Sequence, residues 1–478
     1  MKSMPLFLGV DMGTSSLKAC VIDGEGHTAA RAKVPSETLS PEAGMYEVDG
    51  EKCWWRGFLS LCGEISRSVP LSEIAGICVS SVCGSFIPVD GQGRQTHNAI
   101  LYGIDRRAVE QADGLNAKYG PKLAARLGGP FTTHSVFPKI LWLKKHRPDV
   151  FSKTAFFIEP NNFVTYRLTG ERAWDFPSAA GTTLVDRPVM EWPRDLFDGE
   201  GVDPARFPPL RWPLSVLGRV TAGAGRETGL PEGIPVAAGA CDINAEAAAA
   251  KAFFPGDCVV VFGSTVSLLL TTERPAEVPG FVSGMSLLEG TFRIGAATAS
   301  GSRFLQWMNR TFRAGDPEGE KSPTGILILP WLDGARTPFH NPEARMTFSG
   351  MDSSVTPGRM IRAGREALGY ELSFLLSRIG EVRSVPDVLD VSGGLCNDRT
   401  LMGIISSITG KKLRLHRDVD ASYGDALLAA AASGFLPPER LKTMGGEGTM
   451  VFPDRGLHEK FLSWNRCFRE LAENGGTT

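Results

Sequence analysis

The sequence predicts an α/β protein made of two domains of like fold, and three observations carry that expectation. A chain of 478 residues exceeds what one hydrophobic core organises, since a domain takes about 150 residues. Apolar strand-like runs alternate with segments of helical period, the pattern of α/β architecture. A third sign is repetition: Leu6 to Asp23 and Asp257 to Thr272 both read as apolar run, Gly/Ser/Thr turn, apolar run. Each is a β-hairpin pattern, and the second copy begins about half a chain after the first.

The first hairpin turns at Gly13-Thr14-Ser15-Ser16-Leu17 and ends at Asp23-Gly24. The apolar stretch before Asp11 is too short for a signal peptide and reads as a first strand. Pro-rich, irregular chain from Phe207 to Pro213 and the turn Gly229-Leu230-Pro231-Glu232-Gly233 lead into an apolar strand, Ile234 to Gly239. This places the domain division near that strand, giving domains 1–240 and 241–478. The second hairpin turns at Gly263-Ser264-Thr265-Val266-Ser267-Leu268. Helical period is clearest in Pro138 to Lys145, Ala245 to Phe253, Pro357 to Ile379 and Tyr423 to Gly434. The Gly/Thr-rich tail from Glu473 is expected to fray.

Composition narrows the partners. With 51 Lys and Arg against 53 Asp and Glu the net charge is −2, so nothing draws the chain to nucleic acid or an anionic membrane. No apolar run approaches the roughly 20 residues that cross a bilayer. A small molecule is the expected partner; oligomeric state is not fixed by the sequence, and a homodimer stays open. The nine cysteines are scattered, without CxxC spacing or nearby histidines, and read as reduced thiols of a cytoplasmic protein.

Chemistry is suggested first by the hairpin tips. Gly lets backbone approach an anion closely while N–H and hydroxyl groups donate to phosphate oxygens. Asp11 leads the first tip and offers a carboxylate for Mg²⁺, and Lys18 follows it. Ordinary turn composition explains one such tip equally well; duplication with a carboxylate at the strand end favours phosphate. Asp242 closes the strand from Ile234 and could take a proton from a substrate hydroxyl. The competing role is helix N-cap, for which Asn244 stands nearer the helix start. Ser392-Gly393-Gly394-Leu395-Cys396-Asn397-Asp398 is a Gly turn between strand and helix, fit to admit an adenosine or a phosphate, or simply a tight structural turn. No GxxxxGK[ST] is present, which disfavours a P-loop enzyme.

Taken in order, Asp11 to Ser16, Tyr102 to Ala108 (YGIDRRA), Tyr166 to Gly170 (YRLTG), Gly239 to Asn244 (GACDIN), Gly263 to Thr265, Leu329 to Pro338 (LPWLDGARTP) and Ser392 to Gly394 resemble the FGGY family of carbohydrate kinases over nearly the whole chain. The resemblance implies two duplicated ribonuclease-H-like domains, of the actin-like ATPase kind, flanking a deep cleft. It implies ATP-dependent phosphorylation of a sugar or polyol hydroxyl, a ketopentose such as xylulose leading, with ATP and Mg²⁺ as cofactors. By the same resemblance Asp242 is the catalytic base, and Asp11 and Asp242 are the metal-side carboxylates. Gly13, Thr14, Ser15 and Ser16 form the first phosphate tip, Gly263, Ser264 and Thr265 the second, and Gly393, Gly394 and Asn397 the adenosine turn.

Asp105 and Arg106 fall where related kinases carry substrate-pocket residues, though surface ion pairing accounts for them equally simply. The sequence departs from the family at Cys83 and Gly84, where xylulose kinases carry Met-His and glycerol kinases Arg-Glu, and at Ile243, usually Asn or Gln. A pocket without those polar groups must hold its substrate by others, for which His134 and Asn161 are candidates. Two rival readings remain: a catalytically silent sugar- or ATP-binding protein of the same fold, and a chaperone- or actin-like ATPase.

Overall fold

The structure, a computed structural model, describes residues 4–314 and 323–477. Contacts divide the chain into two compact units, one of Met1–Lys251, Gly284–Gly290 and Asp420–Gly446, the other of Ala252–Ser283, Thr291–Val419 and Glu447–Thr478. The division expected at 240/241 therefore falls inside the first unit, ahead of a helix that begins at Asp242.

In the first unit the chain forms β1 (Leu6–Met12), β2 (Ser16–Ile22) and β3 (Thr28–Pro35), then helix α1 (Arg56–Ile65) and β4 (Ile74–Ser81). Helices α2 (Val136–His146) and α3 (Pro160–Thr169) precede β5 (Pro235–Ala237), the short β6 (Ala240–Cys241) and α4 (Asp242–Ala249). The sheet runs β3-β2-β1-β4-β5: β1 pairs antiparallel to β2 and parallel to β4, and β6 also lies parallel to β4. Every residue of β1 is buried, as its unbroken apolar run requires for a strand covered on both faces.

The second unit repeats this order. It is built from β7 (Cys258–Phe262), β8 (Val266–Thr272), β9 (Phe292–Ala297), helix α5 (Pro357–Gly380), β10 (Val388–Ser392), α6 (Arg399–Thr409) and β11 (Lys412–Leu415). Strands run β9-β8-β7-β10-β11, with β7 antiparallel to β8 and parallel to β10. Three antiparallel strands followed by two parallel ones, in both units, is the duplicated ribonuclease-H-like fold the resemblance implied.

After β11 the chain returns to the first unit as α7 (Ala421–Ala432). This helix lies so close to β1 and α4 that side chains are excluded at the contact. A Cβ on Gly9 would stand 2.1 Å from the Ala426 amide nitrogen, and one on Gly424 1.8 Å from the Ala245 carbonyl oxygen. Small residues in α7 and α4 therefore do for packing what the apolar stripe does in an ordinary helix. The tail departs from expectation: helix runs on from Arg455 to Thr477, with Glu473 paired to Arg469 at 3.0 Å on its surface.

Candidate active site

Register sets the first part of the site. Asp11 on β1 lies opposite Ser80 on β4, and Ser80 lies opposite Ala240 on β6; one residue on, Met12, Ser81 and Cys241 form the next row. The carboxyl ends of three adjacent strands thus meet at one edge, the usual place for ligands in parallel sheets. Asp11 is the last residue but one of β1, and Asp242 directly follows β6.

Asp242 follows the strand end, as the apolar run suggests, but it also opens the helix. Helix α4 begins at Asp242 itself, three residues earlier than its period indicated, and Asn244 is buried inside the first turn and not at the cap. The N-cap position is Cys241, which makes no side-chain capping bond. Asp242 Oδ1 accepts from the Ile243 amide at 2.8 Å, and the residue is half-buried.

The electrostatics around the pair are strained. Burial pushes the Asp11 carboxyl up to about 7; Lys18 opposes the rise, and the charges of Asp242 and Asp420 add to it. Lys18 Nζ stands 3.9 Å from Asp11 and 3.5 Å from Asp420. Glu246, one turn along α4, is pushed up to about 8 by burial and then by Asp242 and Asp11. Beneath them is an acid that the sequence did not single out: Asp425 on α7, fully buried, accepts from Ser80 Oγ at 2.6 Å. Burial holds its carboxyl well above the usual range, with Asp11 and Asp420 adding to the effect. Arg31 also pairs with Asp420, at 3.4 Å, and the acids here still outnumber Lys18 and Arg31.

Both hairpin tips are braced from outside. Thr38 Oγ1 donates to the Thr14 carbonyl at 3.0 Å, and the Ser36 amide donates to the Ser15 carbonyl. In the second unit the Gly263 amide donates to the Thr265 carbonyl at 2.9 Å, and Ser302 N donates to Gly263 O. Ser15 and Ser264, at the two apices, are exposed, whereas Ser16 has entered β2 and is buried.

The Gly turn of the second unit follows β10. Gly393 takes φ +93°, and a Cβ there would meet the Phe262 carbonyl oxygen at 2.5 Å, so this glycine seats the turn against β7. A Cβ on Gly394 would meet nothing within 4 Å. Asn397 ends a 3₁₀ turn ahead of α6, whose N-terminus is capped by Asp398 through the Leu401 amide at 2.9 Å. The open approach is therefore at Gly394 and not at the helix end.

The expected substrate residues lie in the first unit but differ in kind. Cys83 Sγ is 3.5 Å from Ser178 Oγ, which in turn donates to buried Glu159. Gly84 takes φ +80°, and a Cβ on it would stand 2.9 Å from the His134 carbonyl and 3.0 Å from the imidazole Cε1. Asp105 is buried and committed: it pairs with Arg107 at 2.8 Å and accepts from the Tyr46 amide at 2.7 Å. Arg107 reaches on to Glu47 at 2.9 Å. Arg106 is exposed and Ile243 half-buried. Asn161 is buried behind the end of β4, bonded to Ser81 by both its amide nitrogen and its Oδ1.

Two ribonuclease-H-like sheets, Gly/Ser/Thr hairpin tips and carboxylates at parallel strand ends define a phosphotransferase of the sugar kinase and actin class. The chain belongs to the FGGY family of carbohydrate kinases: it matches the family's N-terminal domain over residues 6–249 and its C-terminal domain over residues 258–433. It is a sugar kinase. It is 27% identical over 447 residues to a xylulose kinase of Bacillus subtilis, covering 91% of this chain and 89% of that one. It is 26% identical over 485 residues to an L-xylulose/3-keto-L-gulonate kinase of Escherichia coli, covering 97% and 96%. The crystal structure of xylulose kinase from Rhodospirillum rubrum superposes with a TM-score of 0.88 at 26% identity, covering 98% of each chain.

Proposed function

We propose that the chain phosphorylates a hydroxyl of a ketopentose, xylulose first among them, with ATP as donor and Asp242 as general base. The observation that supports this reading is that Asp242 follows β6 two residues past the Asp11–Ser80–Ala240 row, near enough for its charge to raise the Asp11 carboxyl. The relatives named for xylulose support the substrate class.

In the reaction Asp242 accepts the proton of the sugar hydroxyl as its oxygen bonds to the γ-phosphorus; the bond to the β,γ-bridging oxygen breaks and ADP leaves. The tips at Gly13–Ser16 and Gly263–Thr265 supply N–H and hydroxyl donors to phosphate oxygens, and Gly393, Gly394 and Asn397 form the adenosine turn.

The residues present fit Mg²⁺. Among the described residues no group of three or more His, Cys, Asp or Glu is arranged to hold a metal ion. Magnesium does not need such a cage, because it keeps waters and takes one or two carboxylates with substrate phosphates. Asp11 and Asp242 would hold it: burial pushes the Asp11 carboxyl up to about 7, and the charges of Asp242 and Asp420 that add to the rise are what a cation offsets. When bound with ATP, the ion offsets charge on the phosphates.

With Cys83, Gly84 and Ile243 in place of polar groups, the sugar must be read by others. His134 is the better placed of the two candidates, its ring packed beside Gly84 and its Nδ1 3.5 Å from where a Gly103 Cβ would be. Asn161 is engaged with Ser81 and supports the strand end.

The test is ADP release across a panel of D- and L-xylulose, other ketoses, keto-sugar acids and glycerol. Turnover is expected to be highest on a ketopentose and weak on glycerol. Efficient glycerol phosphorylation contradicts the pocket reading; ATP binding without turnover on any acceptor indicates a silent binding protein.

A further inference from the structure

Lys139 takes no part in the chemistry above, yet it is among the largest side chains buried in the molecule, 1% exposed. It lies on α2, five residues after His134. Its Nζ donates to the Leu101 carbonyl at 2.7 Å and to the Gly84 carbonyl at 3.2 Å. Both carbonyls flank a ladder. Phe86 and Ile100 exchange two backbone hydrogen bonds, at 3.1 and 2.9 Å; Gly84, at φ +80°, turns the chain two residues before Phe86, and Leu101 follows Ile100. Where the two chain segments separate, the lysine supplies hydrogens to one carbonyl on each. An apolar side chain of the same length would fill the space and leave both carbonyls without that donor.

Three charged or titratable groups face the amine: Asp105, Arg107 and Cys83. Burial lowers its pKa to about 7, against Asp105 and Cys83 and together with Arg107. A neutral amine still carries two hydrogens, one for each carbonyl, so the tether holds on either side of that value.

We infer that Lys139 is a positioning residue for the acceptor sugar: it pins the Gly84 turn and the Leu101 segment to α2, and so fixes the wall that presents Cys83, Gly84 and His134. This rests on the reading of those three as sugar-pocket residues. A wall held in place before binding spares the substrate the cost of ordering it.

The experiment compares full-length Lys139→Met, Lys139→Arg and Gly84→Ala with the unmodified enzyme. It reads KM for ketopentose and for ATP, hydrogen exchange of the segments around Gly84 and Leu101, and thermal stability. Lys139→Met is expected to raise the sugar KM roughly 10- to 100-fold, to leave the ATP KM within about twofold, and to speed exchange in both segments. The shift should be the same one pH unit above and below neutrality. Lys139→Arg, which keeps its donors, is expected to recover most of the loss. If Lys139→Met does not fold, Lys139→Gln, one bond too short to reach both carbonyls, is expected to raise the sugar KM alone and speed exchange in both segments, and an unchanged sugar KM would overturn the inference. Equal rises in both KM values with a fall in stability would assign Lys139 to general packing and overturn the inference. If Gly84→Ala raises the sugar KM and Lys139→Met does not, the inference fails while the pocket reading stands; if neither variant moves it, the pocket reading itself fails.

Discussion

The two units share a strand order and a hairpin tip, and differ two residues before the tip glycine. There the first unit has Asp11 and the second Val261, which is buried in β7. The first unit gathers Asp11, Asp242, Glu246, Asp420 and Asp425 around Lys18. Among the second unit's buried acids, Glu366 and Glu371 sit on α5, where Thr324 and Arg362 meet the first and Trp331 one oxygen of the second, and Asp390 sits on β10, paired with His416. Duplication of a frame thus did not duplicate the chemistry. One tip stands beside carboxylates suited to a proton and a cation; the other offers neutral donors alone, suited to phosphate oxygens.

Replacing the carboxylate is the most damaging way to make the tips alike. Asp11→Asn should lower kcat by roughly 10²–10³-fold, since a bound cation is worth several kcal/mol of charge stabilisation. It should also raise the Mg²⁺ concentration needed for half-maximal rate. Unchanged Mg²⁺ dependence would remove Asp11 from the metal's surroundings.

The acids of the second unit should matter for stability and not for turnover. Burial pushes Glu371 up to about 8 from 4.5, against hydrogen bonds from Trp331, Ser300 and Thr298. A carboxyl raised in the folded state contributes stability that is fully present below its unfolded value near 4.5. That contribution is lost as pH rises towards 8. Glu371→Gln stays neutral throughout, so denaturant unfolding should show it more stable than the parent above pH 8, by up to about 5 kcal/mol, and no more stable near pH 4. A gain at acid pH would reverse the sign and contradict the assignment.

Charge placed on the second tip should be felt by the nucleotide. Ser264 is exposed, so Ser264→Asp is expected to fold normally and raise the ATP KM about tenfold by repelling phosphate. The sugar KM should stay nearly constant. A smaller effect is expected at the Gly turn, where the open space beside Gly394 makes Gly394→Val tolerable to the fold. Its ATP KM should rise about fivefold with little change for sugar. Equal loss of both affinities would remove the turn from the nucleotide site.

Much of this was readable before the fold. The hairpins are local: an apolar run, a glycine turn and a second apolar run leave few alternatives, and β1–β2 and β7–β8 follow them within a residue or two. The tips and the Gly turn are likewise contiguous in sequence. What escaped is long-range. Nothing local says that the Ala-rich helix at Ala421–Ala432 returns to the first unit; the only trace is its run of small residues, which suits backbone contact with β1 and α4. Asp425 and Lys139 look like ordinary helix residues until burial and partners 345 and 38–55 positions away are known. Asp105 is read as an exposed candidate because its partner on the next turn of chain, Arg107, is invisible as such in YGIDRRA. The small-residue period places the start of α4 at Ala245, but Asp242, which follows the strand end, is itself the first residue of the helix.

That last point makes Asp242 the place to test the account. Asp242→Asn keeps size and hydrogen-bonding reach but cannot accept a proton. The decisive measurement is kcat and thermal stability on one preparation of the variant, with MgATP and sugar affinities alongside. The account predicts a folded protein with near-normal affinities and a kcat lower by roughly 10²–10⁴-fold, the worth of general-base catalysis. A stable variant that turns over sugar at close to the parent rate would show that Asp242 only begins the helix, and would contradict the account.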